Sequence, residues 1–306
     1  VQQSFFGRAV HYRKLCLMHV ISLIASPGHL DPALVTSLQT ALGGGDAQWL
    51  SPDEAAEFMV ETVPGHLDDI RNDLTDRRVD LNCVPSANRK KKLLIADMDS
   101  TMIGQECIDE LAAEAGVGER VADITARAMN GELDFEAALT ERVGLLKGLP
   151  TSIIQQVIDT RITLAPGGKT AVATMKANGG YAALVSGGFV QFTDRIGAMI
   201  GFDETRANRL IEAEGALAGD VARPILGGEA KIEALEQITA RLGLTVDDAV
   251  AVGDGANDLG MIGRAGMGVA LHAKPVVAAA APVRINHGDL TSLLYLQGYT
   301  RDDFIV

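Results

Sequence analysis

Apolar positions change their pattern near residue 90, which divides the chain in two. Before that point, residues 15–24 form an apolar run that reads as a buried strand. Residues 31–42 have helical spacing, with Pro32 in the first turn and Gly43-Gly44-Gly45 ending the helix. Short strands are predicted at 48–50 and 58–61, a helix at 66–76, and a last strand of alternating polarity at 78–83. The order βαββαβ is that of a ferredoxin-like α+β sandwich over residues 13–86. Residues 1–12 show no period and are expected to form a tail. Residues 85–92, with the basic run Arg89-Lys90-Lys91-Lys92, read as a solvated linker without a function.

From residue 93 the pattern becomes that of strands buried on both faces. Continuous apolar runs at 93–96, 181–185, 248–252 and 268–271 alternate with helical stretches, which predicts a parallel sheet covered by helices over 87–306. Between the first two runs, 108–115, 119–129, 135–146 and 153–161 all have helical spacing. This insertion, at about 104–165, is the expected lid.

Composition narrows the function classes. With 47% hydrophobic and 22% charged residues among 306, the chain is too apolar to be disordered and long enough for two cores. A net charge of −13 excludes a phosphate-backbone or anionic-membrane binder, but leaves a small phosphorylated substrate open. Cys16, Cys83 and Cys107 are scattered and suggest neither a disulfide framework nor a thiolate zinc site. Arg8, Arg13 and Lys14 before the apolar run give a faint resemblance to a signal peptide. The run is too short to span a bilayer, and no small-residue cleavage site follows. A cytoplasmic location is expected.

Three apparent motifs fail on their own chemistry. In Pro166-Gly167-Gly168-Lys169-Thr170, Thr163 stands where a P-loop needs its first glycine. In Gly253-Asp254-Gly255-Ala256-Asn257-Asp258, a carboxylate replaces the third dinucleotide-binding glycine. A calcium loop opening at Asp97 would need glycine at Met102 and glutamate at Ile108.

What remains lies where parallel sheets bind ligands, beyond the carboxyl ends of the strands. One run ends in Asp97-Met98-Asp99-Ser100-Thr101 and another is followed by Ser186-Gly187-Gly188, a hydroxyl with unobstructed backbone N–H groups. Lys231 sits near the start of a helix opened by Gly227-Gly228, and Asp254, Asn257 and Asp258 follow a further strand. Asp97 is suited to attack phosphorus, and Asp99 to protonate the leaving alkoxide and then deprotonate water. Clustered carboxylates would repel a phosphate, so a cation is required, and Asp97 and Asp254 offer oxygen ligands suited to Mg²⁺. Ser186, Gly187 and Lys231 would stabilise the transferring phosphoryl group.

These motifs together resemble those of the haloacid dehalogenase-like phosphatases, and more narrowly the branch that hydrolyses phosphoserine, over roughly residues 90–300. The resemblance implies a Rossmann-like core with an inserted helical cap, Mg²⁺, and release of L-serine from O-phospho-L-serine as the last step of serine biosynthesis. It makes Asp97 the nucleophile and Asp99 the acid/base. Asp97, the Asp99 carbonyl and Asp254 become metal ligands, Asn257 a phosphate contact, and Asp258 and Thr101 supporting residues. Gly260-Met261 departs from the family's usual Pro-Met. Phosphoserine also carries an ammonium and a carboxylate, for which Glu106 and Arg142 match substrate-binding positions. Met129 and Phe135 match apolar cap residues that close over the substrate. The amino-terminal unit occupies the place of an ACT-type domain, implying an amino-acid effector or homodimerisation. Two alternatives stand beside this reading: another capped phosphatase or phosphotransferase of the superfamily, and a non-catalytic amino-acid sensor.

Overall fold

The computed structural model describes residues 18–129 and 132–306, with only the helical backbone of residues 128 and 129. The expected tail at 1–12 lies outside the described residues. The first unit contains β1 (His19–Ile24), α1 (Pro32–Ala41), β2 (Gln48–Ser51), β3 (Ala55–Val60), α2 (Leu67–Leu74) and β4 (Asp80–Pro85). The Asp31 side chain caps α1 by accepting from the Ala33 N–H at 2.8 Å, and Pro32 fills the first helical position. The strands form one sheet in the order β2-β3-β1-β4, antiparallel throughout. One face packs its own helices through Ile21, Leu23, Phe58 and Leu81. The other, with Val20, Ile24 and Val84, joins the larger core of the second unit.

The second unit is built on a six-stranded parallel sheet. It comprises β5 (Leu93–Ala96), α3 (Cys107–Glu114), α4 (Gly118–Met129), α5 (Phe135–Gly144), α6 (Ser152–Thr160), α7 (Gly168–Ala177), β6 (Tyr181–Phe189), α8 (Val190–Ile200), β7 (Glu204–Asn208), β8 (Leu210–Ala213), β9 (Ala216–Val221), α9 (Gly228–Arg241), β10 (Ala249–Gly253), α10 (Leu259–Arg264), β11 (Met267–Leu271), α11 (Pro275–Ala280), β12 (Val283–Ile285) and α12 (Ser292–Leu296). The sheet order is β12-β11-β10-β5-β6-β7, every pair parallel. Thus β5 lies between β10 and β6, and the ends of all three meet. The four helices α3–α6 form the insertion. Its α5–α6 loop is sewn to the β8–β9 hairpin, where the Gly148 N–H reaches Leu217 O and the Leu217 N–H reaches Leu149 O, both at 2.8 Å. No helix among the described residues is long and apolar enough to cross a membrane.

Three expectations need correction. The basic run at 89–92 is not a free solvated linker. Arg89 grips Glu57 at 2.6 and 3.1 Å, and Lys91, 6% exposed, donates to Asp247 O at 2.7 Å. Arg89 thus ties the two units together and Lys91 is buried within the second, while Lys90 and Lys92 stay exposed. The edge strands β7 and β12 and the β8–β9 hairpin are absent from the sequence reading, because each is short and mixed in polarity. Third, Ser186-Gly187-Gly188 does not follow a finished strand. β6 continues to Phe189, and its register against β7 shifts from Val185–Arg206 to Phe189–Asn208. Four residues of β6 span what two cover on β7, so the segment bulges out of the ladder.

The units also meet edge to edge. Asp80 of β4 is 3% exposed and accepts from the backbone N–H groups of Asn286, His287 and Gly288 at 2.8, 3.0 and 2.9 Å. Beside it, the Asn82 amide donates to Arg284 O at 2.8 Å and accepts from its N–H at 2.9 Å. Side chains of one sheet edge thereby satisfy the backbone of the other.

Candidate active site

The nucleophile candidate is set by the strand before it. Leu93, Leu94, Ile95 and Ala96 are buried on both faces, so Asp97 emerges at the end of β5, its N–H still bonded to Val252 O of β10 at 3.0 Å. The Met98 carbonyl then accepts from the N–H groups of Thr101, Met102 and Ile103, and Ser100 takes a left-handed φ of 54°. That tight turn returns Asp99 and Thr101 to the strand end. The Thr101 hydroxyl donates to Asp254 at 3.1 Å.

Asp97, Asp254 and Asp258 each place a carboxylate oxygen within 4.8 Å of the others. Lys231, on the first turn of α9 and fully buried, lies 2.6 Å from Asp258 and 2.7 Å from Asp97. Asp258 is fully engaged, since its second oxygen accepts from the Gly255 N–H at 3.0 Å. Asp97 is less so: its Oδ1 pairs with Lys231 Nζ at 2.7 Å, an ammonium it shares with Asp258. Burial pushes the Asp97 carboxyl well above the usual range against the opposing pull of Lys231. Asp254 is raised to about 6 by burial and then by Asp258. Burial would lower the Lys231 ammonium, but Asp97 and Asp258 outweigh it and hold its pKa up.

One lysine among three carboxylates leaves two negative charges in excess. Three carboxylates whose oxygens converge around a single ammonium fit a hard divalent cation. Asp99 stands apart from that trio. Its Oδ1 accepts from the Cys107 N–H at 3.2 Å, and its carboxyl is pushed up to about 7 by burial and then by Glu106. Its Oδ2 crowds Gly188 so closely that an added Cβ there would come within 2.7 Å, so a side chain at 188 would displace the Asp99 carboxylate.

Ser186 is 1% exposed, and its Oγ accepts from the Gly188 N–H at 2.9 Å. The Phe135 ring, 37% exposed at the start of α5, covers the mouth: an added Cβ on Gly187 or Gly227 would lie 3.3 Å from it. Glu106 begins α3 and is held by the Ser100 hydroxyl at 2.7 Å. Arg142 projects from α5 with its Nε on Ala138 O at 3.2 Å. Burial pulls its pKa down, while Asp109 and then Glu106 oppose that. Asn257 lies on the turn before Asp258, its backbone against Gly228. The side chain of Met129 lies outside the described residues. Gly260 packs against Ile232, and an added Cβ there would fall 2.5 Å from Ile232 Cδ1 and push that side chain aside. Sequence reasoning gave Ser100, inside the first motif, no role, and it missed Asp109, a polar neighbour of Arg142 with no motif of its own. It also missed Asn208, an unremarkable asparagine at the end of an unrecognised strand.

The haloacid dehalogenase-like hydrolase family matches residues 94–262, more than half of the chain. The chain belongs to that family. A solved haloacid dehalogenase-family hydrolase from Salmonella enterica serovar Typhi is 32% identical with a TM-score of 0.82, covering 91% of this chain and 98% of its own. A substrate-bound phosphoserine phosphatase structure is 43% identical with a TM-score of 0.63, over 69% of this chain and 99% of that one. Within the family, the chain thus groups with the phosphoserine phosphatases. The phosphoserine phosphatase of Streptomyces coelicolor is 43% identical over 215 residues, 70% of this chain, and the match spans only 52% of that relative's length.

Proposed function

We propose that the chain is a phosphoric monoester hydrolase that converts O-phospho-L-serine to L-serine and phosphate through an aspartyl-phosphate on Asp97, the last step of serine biosynthesis. The observation that carries this reading is the meeting of Asp97, Asp254 and Asp258 around buried Lys231 at the ends of β5, β10 and α9. Family membership and the phosphoserine phosphatase relatives support the chemistry and the substrate. Asp97, Asp254 and the Asp99 carbonyl would hold Mg²⁺, which would supply charge neutralisation for the approach of the phosphate. An Asp97 oxygen forms a bond to phosphorus as the bond to the serine oxygen breaks, and Asp99 gives that oxygen its proton. Water then attacks the phosphorus, Asp99 takes its proton, and the Asp97–phosphorus bond breaks. Lys231 stays charged beside the nucleophile, and Ser186, Gly187 and Asn257 hold phosphate oxygens. Asp258 and Thr101 hold Lys231 and Asp254 in place. Glu106 takes the substrate ammonium and Arg142 its carboxylate, under a cap over about 104–165 with Phe135 and Met129 as its apolar face.

The amino-terminal unit, 13–86, fits the ferredoxin-like ACT type, supported by its strand order and antiparallel pairing. An amino-acid effector and a homodimer are its proposed partners, and scattered cysteines support a cytoplasmic setting. Phosphate release from L-phosphoserine with Mg²⁺, beside phosphothreonine and an aryl phosphate, tests the reading. EDTA is expected to stop turnover. Hydrolysis of the aryl phosphate without phosphoserine would keep the mechanism and discard the substrate, whereas no turnover of any ester would favour a sensor.

A further inference from the structure

Asn208 ends β7, is 3% exposed, and touches no carboxylate of the site. Its side chain nevertheless bridges two of the site's loops. Its Nδ2 donates to Gly187 O at 2.9 Å and to Leu226 O at 3.1 Å, and its Oδ1 accepts from the Leu226 N–H at 2.6 Å. Both amide hydrogens are used, and the oxygen is used as well. A buried amide satisfied in this way fixes a geometry, because any shift leaves a polar group unpaired.

We infer that Asn208 is a positioning residue for the phosphate grip, aligning the Ser186 hydroxyl and the amino end of the Lys231 helix as one rigid unit. The first half follows from peptide geometry. In a trans peptide the C=O and the following N–H point in opposite directions. With Gly187 O clamped to Asn208, the Gly188 N–H must face the other way, and there it donates to Ser186 Oγ. That bond uses the hydroxyl as an acceptor, so its own hydrogen is left to be donated to an anion. The bulge in β6 makes the clamp necessary, since the strand ladder does not hold Gly187 or Gly188. The second half lies at Leu226, whose N–H and C=O are both held one residue before Gly227, the cap residue of α9. Lys231 is on that helix's first turn, its N–H on Gly227 O at 3.3 Å.

The inference rests on the phosphatase reading and deepens it. Asn208→Asp is the test, because it keeps the shape and the Leu226 contact but sets a carboxylate against two carbonyls. Removing a donor to a developing oxyanion costs about 10²–10³-fold in kcat. Misaiming one should lower kcat on phosphoserine and on an aryl phosphate alike by roughly 10- to 100-fold, with KM moving less than about threefold. On a Ser186→Ala background the same change should cost clearly less than on the wild type, because the part of its effect that passes through that hydroxyl is already lost and only the part at Leu226 remains. A lowered melting temperature with unchanged kcat, or an equal loss on both backgrounds, would overturn the inference. If Asn208→Asp does not fold, Asn208→Ser runs through the same cycle with the same two outcomes. A wild-type protein that hydrolyses neither ester sinks the phosphatase reading instead. Binding of inorganic phosphate with Mg²⁺, followed by calorimetry, then decides the inference: Asn208→Asp weakening it about tenfold upholds the role and unchanged binding rejects it.

Discussion

Two buried carboxylates in this molecule have opposite surroundings. Asp80, at the seam between the units, is met by three backbone N–H groups at 2.8–3.0 Å. Asp97, at the end of β5, shares the single ammonium of Lys231 with Asp258 and has two carboxylates crowding it. The first is a completed structural bond. The second is a cluster of like charges of the kind the proposed reading assigns to a cation and a phosphate. Burial by itself does not mark a candidate functional carboxylate; crowding with other carboxylates around too few cations does.

The comparison is broken most severely at Asp97. Asp97→Asn should remove at least about 10³-fold of kcat, measured by phosphate release, because an amide cannot form the phosphoenzyme. The same change should leave the melting temperature of the metal-free protein equal or higher, since burial disfavours the charge it removes. A fall in melting temperature would show that Asp97 is a structural partner of Lys231. Next, Lys231→Met leaves Asp97 and Asp258 facing each other without a cation. Denaturant unfolding should show a loss of about 3–5 kcal/mol, the range for breaking a buried pair, together with loss of turnover.

At the other carboxylate, Asp80→Ala strands three backbone donors. It should cost roughly 2–3 kcal/mol in unfolding while kcat of the folded protein stays within about twofold. A large fall in kcat at unchanged KM would show that the seam also tunes the site. The smallest effect concerns substrate selection. Arg142→Lys loses the planar fork and should raise KM for phosphoserine by about tenfold, leaving aryl phosphate turnover unchanged.

Much of this architecture was legible in the chain. Leu93-Leu94-Ile95-Ala96 is apolar on both faces, which only a strand covered on both sides tolerates, so the central position of β5 and the placement of Asp97 at its end could be read directly. Asp99, Ser186, Lys231 and Asp254 were visible because turn chemistry ties residue type to strand and helix ends. Arg89 and Lys91 were misread because a charge run looks the same whether water or Glu57 receives it.

The local pattern therefore determined the two kinds of sheet, the helical insertion and the candidate reactive groups, since period and turn chemistry act over a few residues. Only the tertiary structure decided which carboxylate has donors of its own and which shares one. That depends on donors far away in sequence: residues 286–288 for Asp80, Lys231 for Asp97, and for Gly187 the amide of Asn208. Hydrogen bonding is a short-range, directional force, and the chain brings its distant partners together only when the whole sheet has formed.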